Sequence, residues 1–180
     1  MNLIYLFLFF ISSALYSQRL IHTEVYQNGN IKNISYHKKT NNKIVKVKYE
    51  EYYENGTMYT QRSYDKGIED EQVIFWYENG QRKEELYYKQ GLQEGLHTWW
   101  YENGHVKSKG SYRNGKPDGL WIYWYNNGQK SGEGIIKNAK QDGLVTEWYE
   151  NGQIAEERIY KNGRFLSKKA WSQDGSLKNK

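Results

Sequence analysis

One short motif recurs along this chain at a nearly constant interval, and this repetition constrains the fold more than any other feature. The motif is the tetrad Tyr-x-Asn-Gly, and its intact copies end at Gly29, Gly56, Gly80, Gly104, Gly128 and Gly152. A degraded copy ends at Gly175. The central copies are spaced by 24 residues. Such a period is typical of repeat arrays, in which each unit buries its apolar surface against its neighbours.

Each copy contains two turns that separate two short segments. A second glycine series lies between the tetrads, at Gly67, Gly91, Gly115 and Gly163, and Ala139 occupies the equivalent place in one copy. A third glycine follows at Gly95, Gly119 and Gly143. Asn-Gly favours a type I′ hairpin turn, since both residues tolerate positive φ. Glycine at every dozen residues or so disfavours helices, so we predict tandem β-hairpins.

The segments between the turns alternate in the manner of strands, as in Gly119–Tyr125, which reads Gly-Leu-Trp-Ile-Tyr-Trp-Tyr. This alternation places the recurrent Leu and Trp on one face. The predicted fold class is all-β, an elongated antiparallel meander of tandem hairpins in an open sheet. We expect a structural role for the recurrent residues Trp76, Tyr77, Gly80, Trp100, Tyr101, Gly104, Trp124, Tyr125, Gly128, Trp148, Tyr149 and Gly152.

The other strand face carries residues that differ between copies. These form the candidate interaction face: Val73, Phe75, His97, Trp99, Trp121, Tyr123, Val145 and Glu147. Variation at equivalent sites is expected of a recognition surface, and relaxed solvent exposure produces it too. Gly110, Gly132 and Gly134 fall inside the more polar return strands, where glycine is weakening. Our hypothesis is that a neighbouring Trp ring covers the bare backbone there.

The chain divides into four segments by composition. Residues 1–17 are apolar from Leu3 to Ile11 and then small, which is typical of a secretory signal peptide and too short to span a bilayer. An uncleaved anchor and a buried first strand are the alternatives. Residues 18–48 form a divergent basic repeat or cap, residues 49–175 the tandem repeats, and residues 176–180 a basic tail. We therefore expect export, to the periplasm, the outer surface or the medium.

The net charge of +5 comes from the two ends of the chain. Residues 49–163 hold 14 basic and 19 acidic residues. A nucleic-acid groove would need basic charge in every repeat, so no nucleic-acid partner is expected. The lysine-rich segment Ile31–Lys48 either protects a sheet edge or attaches the chain to anionic lipid.

Catalytic and metal chemistry find little support in the sequence. The chain has no Cys, which excludes thiolate sites and disulfides. His97 and His105 flank one tetrad but have no counterparts in neighbouring copies. Glu84 and Glu85 are adjacent in a strand and point to opposite faces. We expect no catalytic residue, no metal and no cofactor.

The residues that recur in register resemble a known family. The order of three motifs is similar to the MORN repeat, and most closely to the bacterial variant of the YwqK-family antitoxin type. The motifs are Trp-Tyr-Glu-Asn-Gly-Gln, then Tyr-Lys-Asn-Gly-Lys, then Asp-Gly-Leu. The resemblance covers residues 49–175. It implies antiparallel arrays used for protein or lipid contact. The function we expect is a non-enzymatic exported scaffold that binds a protein, toxin-like or from the envelope, in an antitoxin or immunity-like role. The alternatives are a cell-surface glycan-binding module that uses exposed aromatic rings, and peripheral membrane attachment.

Overall fold

The computed structural model describes residues 19–41 and 43–178. The predicted signal peptide, residues 1–17, lies outside the described residues, as do the last two residues of the predicted tail. Within the described part, every element of regular secondary structure is a β-strand. Within it, no helix is long and apolar enough to cross a membrane.

The chain forms two compact units, which divide after Leu92. The first unit is an antiparallel meander in which each strand pairs with the next along the chain. Its strands are β1 (Arg19–Val25), β2 (Ile31–Thr40), β3 (Lys43–Tyr52), β4 (Met58–Asp65), β5 (Ile68–Trp76) and β6 (Arg82–Lys89). A two-residue strand, β7 (Leu92–Gln93), lies at the division.

The second unit, from Gln93 onward, repeats this meander. Its strands are β8 (Gly95–Trp100), β9 (Val106–Arg113), β10 (Lys116–Pro117), β11 (Gly119–Trp124), β12 (Lys130–Lys137), β13 (Lys140–Trp148), β14 (Ile154–Lys161) and β15 (Arg164–Ala170). Strand β9 pairs with β8 and β11, and the order then follows the chain to β15. Both units confirm the predicted all-β fold class of tandem antiparallel hairpins.

The predicted type I′ geometry of the Tyr-x-Asn-Gly turn is wrong. In Tyr77–Gly80 the N–H of Gly80 donates to the carbonyl of Tyr77 at 2.9 Å, and only Gly80 has positive φ. Type I′ requires positive φ at both central residues. The pattern instead fits a three-residue loop with glycine at the bulge, and a register shift at Phe75/Trp76 accompanies it. Asn79 accepts the N–H of Gln81 at its side-chain oxygen, which explains the preference for Asn.

The second turn series is the one with type I′ character. Asn114 and Gly115 have φ of 50° and 74°, and Asn162 and Gly163 have 51° and 82°. Ala139, in the equivalent place, has φ of 62°. The hairpin geometry predicted for the tetrads therefore occurs in the turns between them.

Tyrosine and asparagine of the tetrads link successive repeats. The hydroxyl of Tyr101 donates to the carbonyl of Trp124 at 2.8 Å, and Tyr125 donates to that of Trp148 at 2.6 Å. The Asn103 amide donates to the carbonyl of Asn126 at 2.9 Å. Because each bond joins one turn to the next, these side chains couple neighbouring repeats.

Trp121 covers the backbone of Gly110, which confirms the hypothesis about glycine at this position. A Cβ built on Gly110 would lie 2.2 Å from Cδ2 and 2.3 Å from Cε2 of the indole. At Gly134 the covering group is Val145, whose Cγ2 would lie 2.9 Å from such a Cβ. Gly132 has only ordinary contacts, with nothing nearer than 3.7 Å. Of the three glycines, only Gly110 therefore has its backbone covered by a tryptophan ring.

Candidate functional site

The copy-variable residues of the second unit form two cross-strand rows on one face, which we call the aromatic face. Directly opposed residues share a face in an antiparallel sheet. The inner row comprises His97, Gly110, Trp121, Gly134, Val145 and Arg158, and the outer row comprises Trp99, Ser108, Tyr123, Gly132, Glu147 and Glu156. Sequence reasoning placed the six variable members together, and the register brings them together.

Burial divides the predicted interaction residues into two groups. The first variable residue of each copy is buried, at 9% exposure or less: Val73, His97, Trp121 and Val145. The second lies nearer the solvent, with Trp99 at 40% and Tyr123 at 43% exposed. Phe75 is half-buried and Glu147 is exposed. The solvent-accessible members of this face are therefore Trp99, Tyr123 and Glu147, while the buried group shapes the sheet beneath.

The buried group of the second unit is an aromatic cluster. The rings of His97 and Trp99 have centroids 5.1 Å apart, and Trp121 meets Tyr112 edge-on at 5.6 Å. The Trp121 and Tyr123 rings stack at 6.3 Å. Offset and edge-on ring pairs stabilise beyond their buried area. The packing holds the half-exposed rings of Trp99 and Tyr123 in fixed orientations.

A shallow cavity of about 110 Å³ lies beside these rings. Gly132 and Gly134 line it, with Trp121 and Tyr123 on one side and Val145 and Glu147 among the residues on the other. The indole nitrogen of Trp121 is buried and has no hydrogen-bond partner among the described residues. The two glycines of β12 thus leave an indentation between side chains of its neighbouring strands.

Charge on this face is concentrated at one end of the outer row. Arg158 forms an ion pair with Glu147, and its Nε lies 3.4 Å from Oε1 of Glu156. Burial, followed by the nearby Tyr112, raises the pKa of the Tyr123 hydroxyl, so this phenol stays neutral at ordinary pH. The face therefore presents neutral rings at one end and a carboxylate–guanidinium pair at the other, an arrangement suited to stacking and hydrogen bonding.

The two histidines near the tetrad do not converge on a common ligand position. His97 is 5% exposed, and its Nδ1 lies 3.1 Å from the Gln93 amide nitrogen. His105 is exposed, and its Nδ1 lies 2.9 Å from the carbonyl oxygen of Asn126. In the part of the chain that the structure describes, no three His, Asp or Glu side chains cluster as metal ligands.

A buried polar cluster occupies the first unit around Glu50, which is 6% exposed. Lys48 Nζ lies 2.6 Å from Glu50, and the Tyr36 and Tyr52 hydroxyls donate to it at 2.8 and 3.2 Å. Burial tends to raise the pKa of Glu50, but hydrogen bonds from Lys48 and Tyr36 outweigh it, and the pKa is lowered. Burial, together with the Glu50 carboxylate, raises the pKa of Tyr36 to about 12. The carboxylate is fully partnered, so the cluster has a structural role.

Sequence reasoning missed a second surface in the second unit, on the face that carries the recurrent leucines. Five aliphatic side chains there are 41–51% exposed: Leu96, Leu120, Ile135, Leu144 and Ile159. We call this set the aliphatic stripe. The signal in the sequence is the recurrence of Leu after the third glycine, on the face that also carries the recurrent Trp. Contiguous exposed apolar surface of this kind marks contact sites.

Comparison with known families agrees with the repeat and its register. A family model described as a MORN repeat variant matches residues 47–66, 72–90, 93–114, 117–138 and 141–162. The five segments cover more than half of the chain, and each contains one Tyr-x-Asn-Gly turn. No curated protein matches the chain.

Proposed function

The chain belongs to the MORN repeat variant family, whose repeats are protein- or membrane-interaction modules, and from that premise we propose that it is a non-enzymatic scaffold that binds another protein. The binding surface is the outer row of the aromatic face, around Trp99, Tyr123 and Glu147. The apolar segment Leu3–Ile11 supports export of the chain, so that the partner is an envelope or extracellular protein.

One observation carries this proposal: the outer row alternates large and small side chains across five strands. Trp99 and Tyr123 both lie opposite Ser108, and Tyr123 and Glu147 both lie opposite Gly132. The small residues leave the sides of the rings accessible. Aromatic residues on a rigid sheet, beside a charged pair, are the groups that dominate binding energy in protein interfaces.

Site-specific cross-linking tests the proposal directly. A photo-reactive amino acid is placed at Tyr123 in the full chain, expressed in its own cells, and a matched probe is placed at Ile68, which is 53% exposed and lies in the first unit. We expect one protein to cross-link at Tyr123 and not at Ile68, and Trp99→Ala to reduce its yield at least tenfold. Equal yields from both probes, or a yield that Trp99→Ala leaves unchanged, would contradict the proposal.

A finer proposal is that the partner is a toxin, which the chain neutralises. The resemblance of the repeat to the antitoxin type supports it. Co-expression with any toxin-like reading frame beside its gene tests this: growth should recover with the intact chain and not with the Trp99→Ala, Tyr123→Ala double variant. Recovery with both chains would place neutralisation elsewhere on the molecule.

Glycan binding is a second candidate, favoured by the spacing of the exposed rings. Trp99 and Tyr123 lie two strands apart, which corresponds to about 10 Å. Aromatic rings present flat apolar faces on which sugar rings can stack. Titration of the purified chain with wall polysaccharide should then change its tryptophan fluorescence, and Trp99→Ala should abolish the change while Trp148→Phe retains it. No change in the intact chain would exclude this candidate.

A further inference from the structure

The aliphatic stripe runs across the strands of the second unit. Leu120 lies opposite Ile135, and Leu144 lies opposite Ile159. Ser111, which lies opposite Leu96, interrupts the row near β8, and Ser167, which lies opposite Ile159, ends it at β15. Alternation along each strand gives the order Leu96, Ser111, Leu120, Ile135, Leu144, Ile159 and Ser167, with a register shift between β12 and β13 next to Ile135. About half of each aliphatic side chain is exposed, so a large apolar area faces the solvent.

A parallel row of polar and charged residues borders the stripe two positions along each strand. Lys109 lies opposite Ile122, Glu133 opposite Thr146, and Glu157 opposite both Thr146 and Lys169. From β8 to β15 the order of this row is Thr98, Lys109, Ile122, Glu133, Thr146, Glu157 and Lys169. Among the described residues, neither Lys109 nor Glu157 makes an ion pair. Lys169, directly across from Glu157, makes none either. The row therefore carries three charges, Lys109, Glu157 and Lys169, that form no ion pair within the described part of the chain.

We propose that the aliphatic stripe is a self-association surface, on which a second copy of this chain packs face to face. The two copies are related by a two-fold axis that runs parallel to the strands and lies over β12, midway between the two sheets. Such an axis keeps the strand directions aligned, as in a sheet sandwich, and reverses the strand order. The apolar row of one copy then faces the apolar row of the other.

The residues brought together by this axis are complementary. In the apolar row Leu120 faces Leu144 of the second copy, and Ile135 faces its own equivalent. In the charged row Lys109 faces Glu157 of the second copy, and the reverse pair forms on the other side of the axis. The symmetry also brings Glu133 against its equivalent, and Lys130 neutralises that carboxylate at 2.9 Å. Lys109 and Glu157 thus find partners of opposite sign, while Lys169 faces Thr98. At the two ends of the apolar row, Leu96 faces Ser167 and Ser111 faces Ile159.

The repeat itself favours a second copy over an unrelated partner. The leucines recur on alternate strands, and only another sheet with the same strand spacing presents side chains at that interval. Two such rows interdigitate as the inner faces of a sandwich do, about 10 Å apart. The interface lies on the face opposite Trp99 and Tyr123, so self-association and the proposed binding of a partner protein use different surfaces.

Sedimentation equilibrium of the purified full chain over a range of concentrations tests the proposal. We expect a monomer–dimer equilibrium that Ile135→Lys abolishes, because this change places two like charges on the axis. Lys109→Glu alone and Glu157→Lys alone should each weaken dimerisation at least tenfold. The double variant Lys109→Glu, Glu157→Lys should restore it, since the pairs re-form with the signs exchanged. Lys116→Glu, an exposed lysine outside both rows, should have no effect.

Either of two results would overturn the proposal: a monomer at every concentration reached, or a dimer that both single charge reversals leave unchanged. The charge reversals lie on the surface, and circular dichroism verifies that each variant is folded. Trp99→Ala should leave the dissociation constant of the dimer equal to that of the intact chain. Loss of the dimer and loss of partner binding are therefore separate outcomes.

Discussion

The indole of Trp121 occupies the space that a side chain at position 110 would need, with Cδ2 2.2 Å from the Cβ position of Gly110. Real carbon atoms do not approach so closely, so the ring and the bare backbone require each other. Trp121 is 7% exposed, although it stands beside positions that are half-exposed. The glycine allows a large ring to lie on a single sheet, and Trp121 is the most buried of the tryptophans in the described part of the second unit.

Gly110→Val should destabilise the chain by about 2–3 kcal/mol, because the new side chain overlaps the Trp121 ring and overpacked sites cost this much. The sign is informative, since strand propensity alone favours Val over Gly. Gly132→Ala is the matched control: its Cβ meets nothing nearer than 3.7 Å, and a gain of roughly 0.5 kcal/mol is expected. Urea denaturation measures both. An unchanged Gly110→Val variant would contradict the account of Trp121.

Ala139→Gly should stabilise the chain by roughly 0.5–1 kcal/mol. Ala139 has φ of 62°, in the left-handed region where a Cβ clashes with the following carbonyl. The converse change is Gly67→Ala. Gly67 has φ of 85°, and no atom lies within 4 Å of the Cβ that Ala would add. The stability that this variant loses therefore reports backbone strain alone. In thermal denaturation, the Tm of Ala139→Gly should rise and the Tm of Gly67→Ala should fall. Shifts of Tm in the same direction would refute the explanation.

Tyr125→Phe should cost about 1 kcal/mol, the usual net value of a hydrogen bond. The variant keeps the ring and removes the donor to the Trp148 carbonyl at 2.6 Å. Tyr123→Phe serves as the control, since the Tyr123 hydroxyl makes no hydrogen bond among the described residues. The measured quantity is the free energy of unfolding in urea. If the two variants lose equal stability, the link between repeats does not depend on the tetrad hydroxyl.

Stability should fall as the pH rises from about 10 to about 12. The pKa of Tyr36 is raised to about 12 in the folded chain, by burial and by the Glu50 carboxylate, and the usual tyrosine value is about 10. The folded state therefore holds the Tyr36 proton more tightly than the unfolded state, and the stabilisation present below pH 10 is lost through this window. Tyr36→Phe should flatten the decline in an unfolding series across these pH values, and a decline as steep as that of the intact chain would disprove the assignment.

Much of the fold follows from the spacing of a few residue types. The glycine series place most of the hairpins, although the turn between β2 and β3 and the turn at Ala139 lack glycine. The alternation in Gly119–Tyr125 assigns side chains to the correct faces. The register of the copies even indicates that Glu71 occupies the place of Gly95, and its φ is 67°. The sequence pattern does not predict the turn type of the tetrad, because the turn depends on the side chain of Asn79 accepting a backbone N–H.

The amino-acid sequence by itself determined the repeat, the hairpins and the two faces of each strand. Only the tertiary structure decided which side chains on those faces are buried. Both faces of a single sheet lie next to solvent, so alternation alone does not distinguish an interior from an exterior. Burial depends on what stands on the adjacent strands: Gly110 lets Trp121 sink into the sheet, while Leu120, opposite Ile135, remains half-exposed.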